Sequence, residues 1–405
     1  MAQRASNNGN TMLRKFSVEN YKNFCDKAVL DFTAVRDYSF SKDCIRNGLL
    51  DKAVLIGKNG SGKTNLGFAL FDIVYTLTDN QSEIHQTDEQ SFINGDSRGN
   101  EAAFCYEFQH GDSIIEYSYR KSSPFKITYE KLAVGGKTVF EIEDAKLTSL
   151  DAQLMSAIGA GDLQFSAYGG SLAFFRYVAH NTPQSPESPV YWITDFVRRM
   201  LYFRSVQDGN VYIGLTKGQE SLDQYLIENN LVDDFQRFLN DTAGFEMKLS
   251  TVDTEAMPSI VVQRFRKKPV LLSAVASSGT KALELYYYWS RRFDDASFIF
   301  IDEFDAFYHY ELAENMLRNV LKIRSAQIVL TTHNTGLVGN DLLRPDCYLM
   351  IDDGQIRSFS GSTGREIRKG HNLEKMLRKG EFDGGDNPVH NRSGERATIP
   401  EKNMS

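Results

Sequence analysis

The chain has 405 residues, of which 41% are hydrophobic and 24% charged, and a formal net charge of -7. These values describe a globular protein with room for two or three domains. They exclude a surface that is basic throughout, so any groove for nucleic acid has to be local.

Residues 1–11 are polar and lack the apolar centre of a signal peptide; they read as a disordered leader, or as an appendage ahead of a natural start at Met12. Cys25, Cys44, Cys105 and Cys347 are far apart with no Cys-x-x-Cys pair, which argues against a zinc site or a disulfide framework and suits a reducing compartment. No apolar run reaches the roughly 18 residues that a membrane helix needs, so a cytoplasmic protein without a membrane partner is expected.

Residues 13–19 alternate as a half-buried strand does, and 28–32 read as a second strand. Lys52-Ala53-Val54-Leu55-Ile56 is a short apolar run that suits a central buried strand. Leu66, Leu70, Ile73, Val74 and Leu77 then fall on one face of a helix starting near Lys63. Residues 80–100 are polar and aperiodic, as in a loop. Alternating runs at 104–108, 114–119 and 125–129, with turn signals at Gly111-Asp112 and Gly135-Gly136, predict a β-meander over 102–142.

Residues 146–245 read as mostly helical, including apolar positions at helical spacing from Val190 to Phe203. Strands are expected at 260–262, 270–272, 298–301, 327–331, 347–351 and 355–359, with helices at 279–292 and 308–323 between them. Such alternation, with continuous apolar strands, predicts an α/β fold around a mostly parallel central sheet. The domain reading is a leader at 1–11 and an N-terminal lobe at 12–100. An insertion at 101–245 (a β-meander, then a helical lid or partner-docking region) and a C-terminal lobe at 246–360 follow. Residues 361–405 hold a short helix over 373–379 and a flexible tail.

The most specific chemical signal is Gly57-Lys58-Asn59-Gly60-Ser61-Gly62-Lys63-Thr64, set between a buried strand and an amphipathic helix. Glycines let backbone N–H groups wrap phosphates, Lys63 supplies a cation for the β and γ phosphates, and the Thr64 hydroxyl suits Mg²⁺. The helix dipole adds to the attraction. ATP and Mg²⁺ are therefore the expected ligands.

A second signal is the apolar strand Phe298-Ile299-Phe300-Ile301 delivering Asp302 and Glu303 at its C-terminal end, where open α/β sheets bind ligands. Asp302 is expected in the Mg²⁺ shell and Glu303 beside the attacking water. His333, just beyond a third apolar strand, is a candidate γ-phosphate sensor. Ser277-Ser278-Gly279-Thr280 opens a helix, and its amides suit either a second phosphate contact or a plain N-cap by Ser277 or Ser278.

With these elements in this order the chain resembles the ABC/SMC-like, AAA-type ATPases, the group that holds RecF and the OLD-type proteins. Phe16-Ser17-Val18-Glu19-Asn20-Tyr21-Lys22-Asn23-Phe24, Leu30-Asp31-Phe32 and residues 56–66 carry the likeness. The resemblance implies a P-loop head with N-terminal antiparallel strands and a β-meander plus helical insertion. It also implies that ATP sits between two heads, with Ser278 and Gly279 as a signature acting in trans, His309 at the D-loop position and His333 as the switch histidine.

Within this group the chain is most similar to the RloA and AbiL type of ATPases from bacterial abortive-infection operons, on the segment 371–382. The signature departs from the transporter pattern, reading Ser-Ser-Gly-Thr rather than Leu-Ser-Gly-Gly-Gln. Gln90 is the candidate Q-loop glutamine. No heptad run occurs between Lys63 and Ser278, so a compact insertion is expected rather than a coiled coil.

No nuclease module is visible after the motifs. The resemblance therefore implies an ATP-hydrolysing switch that forms a dimer or larger homo-oligomer through its heads. That switch would control a separate effector, nuclease or toxin, from the same operon in antiphage defence. A RecF-like DNA-repair ATPase and a nucleotide-stabilised scaffold with little turnover are the alternatives. Two basic clusters, at 264–268 and 365–379, are candidates for contact with nucleic acid or an acidic partner, or are solvated faces.

Overall fold

The computed structural model describes residues 11–79, 89–165, 168–183, 185–205, 211–215, 221–253 and 259–383. The leader expected before residue 11 and the tail expected beyond 383 lie outside the described residues.

The central sheet has seven strands in the spatial order Tyr212–Gly214, Met200–Arg204, Phe298–Asp302, Gln327–Thr332, Lys52–Ile56, Tyr348–Asp352 and Gln355–Ser358. The four inner pairings are parallel and the two outer ones antiparallel. This is the α/β class with a mostly parallel sheet that the alternation predicts. Every residue of Lys52–Ile56, Phe298–Asp302 and Gln327–Thr332 is buried, which explains their unbroken apolar character. Parallel neighbours point the same way, so the chain leaves Ile56, Thr332 and Asp302 at adjacent places on one sheet edge.

A second sheet is antiparallel. Met12–Glu19 pairs with Ala28–Asp31 on one side and Ala102–His110 on the other. Ser113–Ser123, Lys126–Val134, Lys137–Glu143 and Lys146–Leu150 follow as a meander. The meander thus continues the sheet that the first strand begins. Its Gly135-Gly136 turn has φ of 57° and 77°, the doubly left-handed geometry of the two-residue hairpin turn that matches strand twist.

Helix Lys63–Leu77 lies between the two sheets. Toward the parallel sheet, Gly67 lets the helix approach closely: a Cβ there would sit 2.8 Å from a Tyr202 ring carbon and 3.0 Å from one of Phe300. Toward the meander, Tyr106 donates its hydroxyl to the Ala69 carbonyl (3.0 Å), and buried Asp72 pairs with Lys121 (2.6 Å) and Tyr119 (2.8 Å). Gln327 ties the sheets together at another point, accepting from the Leu13 amide and donating to the Leu13 and Leu50 carbonyls.

The helix expected over 190–203 is corrected. Helix Pro189–Arg198 ends there, and Met200–Arg204 is a strand paired in parallel with Phe298–Asp302. A four-residue apolar run carries no period of its own, and the open position beside a buried strand decided its state. A smaller apolar cluster joins helix Val232–Ala243, strands Leu249–Val252 and Ile260–Arg264, Leu272, and one face of helix Ser278–Ser290.

Candidate nucleotide-binding site

The loop leaving strand Lys52–Ile56 is shaped by two glycines that admit no side chain. A Cβ on Gly57 would lie 2.5 Å from Ser61 Oγ and 2.7 Å from an Ile351 methyl. Gly62 has φ of 102°, and a Cβ there would fall 2.2 Å from Asn23 Nδ2. Asn23, from the turn after the first strand, accepts from Asn65 Nδ2 at 2.7 Å and so braces the start of the helix.

Lys63 Nζ folds back over the loop and donates to the Gly57 and Lys58 carbonyls (2.8 and 3.0 Å). Burial holds this ammonium below its ordinary lysine value, against the opposing pull of Asp302 and Glu303. Thr64 Oγ1 donates to Asp302 Oδ2 at 2.7 Å.

Asp302 is fully buried, and Oδ2 also accepts from the Tyr202 hydroxyl (3.1 Å) while Oδ1 accepts from Thr331 Oγ1 (2.7 Å). Glu303 turns sharply off the strand with φ of 50°, an uncommon conformation for a residue with a side chain. Its amide donates to Thr331 Oγ1 at 2.7 Å, which holds that turn in place. Glu303 Oε1 lies 3.8 Å from His333 Nε2, and Oε2 lies 3.1 Å from Arg204 Nη2.

His333 Nδ1 sits 2.9 Å from the Gly57 carbonyl and 3.2 Å from Lys63 Nζ. Protonated at Nδ1 it donates to Gly57; unprotonated there it accepts from Lys63. Thr332 Oγ1 donates to Asp305 Oδ2 (2.8 Å), and burial raises that carboxyl above its ordinary value. The two consecutive threonines at the end of strand Gln327–Thr332 therefore each hold one acid of the neighbouring segment.

These groups border an open cleft of about 680 Å³, lined by Asn59, Gly60, Gly62, Lys63 and Thr64 together with Glu303, Asp305, Tyr308, His333 and Asn334. The residues expected from sequence at 57–64, 302, 303 and 333 are thus neighbours in space. Thr64 Oγ1 and Asp302 Oδ2 are hard oxygens suited to Mg²⁺, which keeps several water and phosphate ligands of its own. Among the described residues no group of three or more His, Cys, Asp or Glu forms a separate metal cluster.

Ser278 and Gly279 are not part of this cleft wall. Ser277, rather than Ser278, caps their helix, its Oγ accepting from the Thr280 amide at 3.1 Å. A Cβ on Gly279 would lie 3.1 Å from the Phe307 carbonyl, so the helix start backs closely on the segment after Glu303. His309 precedes helix Tyr310–Val320 and is exposed. The side chain of Gln90 lies outside the described residues.

Sequence reasoning missed Arg204, Tyr202, Thr331, Asp305 and Asn23. Arg204 and Tyr202 were hidden by the mostly helical reading of 146–245. Asp305 and Thr331 were visible beside the motifs but carry no spacing of their own.

Residues 185–339 match the family described as "AAA domain, putative AbiEii toxin, Type IV TA system". The match spans less than half of the chain and includes Asp302, Glu303 and His333 but not the 57–64 loop. Among solved structures, the chain is similar to an SMC head domain from Thermotoga maritima, at 13% identity and a TM-score of 0.39, over 88% of this chain and 99% of that one. It is similar to the recombination mediator RecF with ATP at 13% identity and a TM-score of 0.38, over 86% and 99%. An Smc head with an extended coiled coil, bound to the C-terminal domain of ScpA derived from Pyrococcus furiosus, gives 13% and 0.40, over 91% and 98%. A comparison with curated proteins found no match. Among the described residues no helix is long and apolar enough to cross a membrane.

Proposed function

We propose that the chain binds Mg²⁺-ATP in the cleft beside Lys63 and hydrolyses it. The observation that carries this reading is the direct Thr64–Asp302 hydrogen bond, which joins the phosphate loop to the acid edge, with Glu303 and His333 lining the same cleft. Gly57, Lys58, Asn59, Gly60, Ser61 and Gly62 present the backbone around the triphosphate, and Lys63 places its ammonium there. Thr64 and Asp302 hold Mg²⁺, which supplies charge neutralisation at the phosphates when bound. Glu303 orients the attacking water, and His333 senses the γ-phosphate from the Gly57 side.

Steady-state hydrolysis by the purified protein, with Lys63→Ala as the blank, tests the reading. Glu303→Gln is expected to lower kcat by about 10²–10⁴-fold while nucleotide is still retained. Wild-type turnover in that variant, or no nucleotide held in dialysis with Mg²⁺, would falsify the assignment.

The wider role we propose is an ATP-driven switch of the ABC/SMC-like kind, similar to the RloA and AbiL type. Heads associate around ATP, with Ser278 and Gly279 capping the partner's nucleotide, and control a separately encoded effector in antiphage defence. The family description at residues 185–339, which names a toxin of a toxin–antitoxin system, supports this setting. Three arginines of the 365–379 cluster already pair with acids (Arg365–Glu381, Arg368–Glu366 and Arg378–Glu374), which weakens the case for a phosphate-binding patch there. Phage plating on cells carrying the gene with its neighbours, wild type against Lys63→Ala, tests the defence role. Equal plating in both rejects it.

A further inference from the structure

We propose that Arg204 is a positioning residue for Glu303, an inference that rests on the ATPase reading of the cleft. Asp302 and Glu303 are consecutive acids, one with no exposed side-chain surface and the other 24% exposed. Two adjacent carboxylates repel each other, and a cation placed between them offsets that repulsion and fixes their direction. Lys63 is turned toward the Gly57 and Lys58 carbonyls. Arg204 supplies the second charge.

Its Nη2 lies 3.1 Å from Glu303 Oε2, and its Nε lies 3.5 Å from Asp302 Oδ2. One arginine thus spans both acids.

The sheet fixes where that charge sits. Arg204 is the last residue of strand Met200–Arg204, and its Cα pairs in register with Asp302. A planar fork carried on a paired strand holds its direction better than a lysine or a loop residue would. Arg204 does not line the cleft, so it acts on Glu303 rather than on nucleotide. By engaging Oε2 it leaves Oε1, on the His333 side, as the oxygen that orients the attacking water.

The experiment measures nucleotide Kd and kcat for wild type, Arg204→Ala, Arg204→Lys, Glu303→Gln and the Arg204→Ala/Glu303→Gln double variant, with Tm as a folding check. A misplaced catalytic group costs on the order of 10²-fold. Arg204→Ala is therefore expected to lose about 10- to 100-fold in kcat, with Kd changed by less than about threefold. Arg204→Lys recovers part of the loss. The double variant is no slower than Glu303→Gln alone, because the effect of Arg204 on kcat runs through that carboxylate, while its approach to Asp302 bears on Kd.

An unchanged kcat in Arg204→Ala overturns the inference, as does a double variant slowed by the product of the two single effects. If Arg204→Ala does not fold, a wild-type kcat in Arg204→Gln overturns it equally. If wild type turns over no faster than Lys63→Ala, the ATPase reading falls and this inference with it. An active wild type beside an unaffected Arg204 variant removes this inference alone.

Discussion

Thr64 and Asp302, 238 positions apart in the chain, are joined by a 2.7 Å hydrogen bond from the threonine hydroxyl to a fully buried carboxylate. The first turn of helix Lys63–Leu77 and the end of strand Phe298–Asp302 are thereby fixed against each other at the place where both would meet a cation.

Thr64→Ala removes one of two hard oxygens and leaves Asp302 its partners Tyr202 and Thr331. Nucleotide affinity measured with Mg²⁺ is expected to fall about tenfold, or ~1.4 kcal/mol. In EDTA the change is expected to be small. Isothermal titration under both conditions checks this, and equal losses in the two rule out Thr64 as a metal-holding residue.

Gly67→Ala sets two effects against each other. Alanine gains about 1 kcal/mol in helix propensity. The added methyl, however, meets ring carbons of Tyr202 and Phe300 at 2.8 and 3.0 Å in a packed core, and overpacking costs about 1–3 kcal/mol. The clash wins, so the variant should unfold at lower denaturant. Because Tyr202 also holds Asp302, nucleotide binding should weaken with it. A midpoint at or above wild type would contradict the close packing.

Asp72 and Lys121 are both buried and link the helix to the meander. Asp72→Ala strands the lysine charge and should cost about 3–5 kcal/mol. Replacing both partners with apolar residues of similar volume should recover most of that loss. If the double variant is as unstable as the single one in urea unfolding, the pair's charge is not what the single substitution exposes.

Glu284, on helix Ser278–Ser290, is pushed up to about 8 by burial first and by the neighbouring Asp223 second, with Lys281 opposing. The unfolded value is near the ordinary 4.5. Below that pH the group is protonated in both states and the folded chain bears no penalty. Between the two values the unfolded chain releases a proton that the folded chain keeps, so stability falls as pH rises, levelling above about 8. Glu284→Gln, which cannot ionise, should show a flatter profile over this window. Parallel slopes for the two proteins in urea melts at several pH values would refute the buried-acid account.

Motifs with strict local geometry were readable from residues alone. The 57–64 loop needs glycine where Gly62 takes a left-handed φ, and the apolar runs ending at Ile56, Asp302 and Thr332 need burial on both faces. Residues 200–204 were not readable. Their four apolar positions serve a helix or a strand equally well, and the helical reading of the region hid both Tyr202 and the Arg204 that ends the run.

What the sequence determined by itself is therefore local: a glycine-rich turn after a buried strand, two acids after a second, a histidine after a third, and an α/β alternation. Short-range backbone constraints and side-chain periodicity are enough to specify these. The tertiary structure alone decided strand order, and with it which strand ends are adjacent. It also decided that the meander extends the first strand's sheet, and that an arginine from strand Met200–Arg204 reaches both acids. Those outcomes depend on pairings between residues distant in the chain, whose energies come from burial and hydrogen bonding that no local pattern encodes.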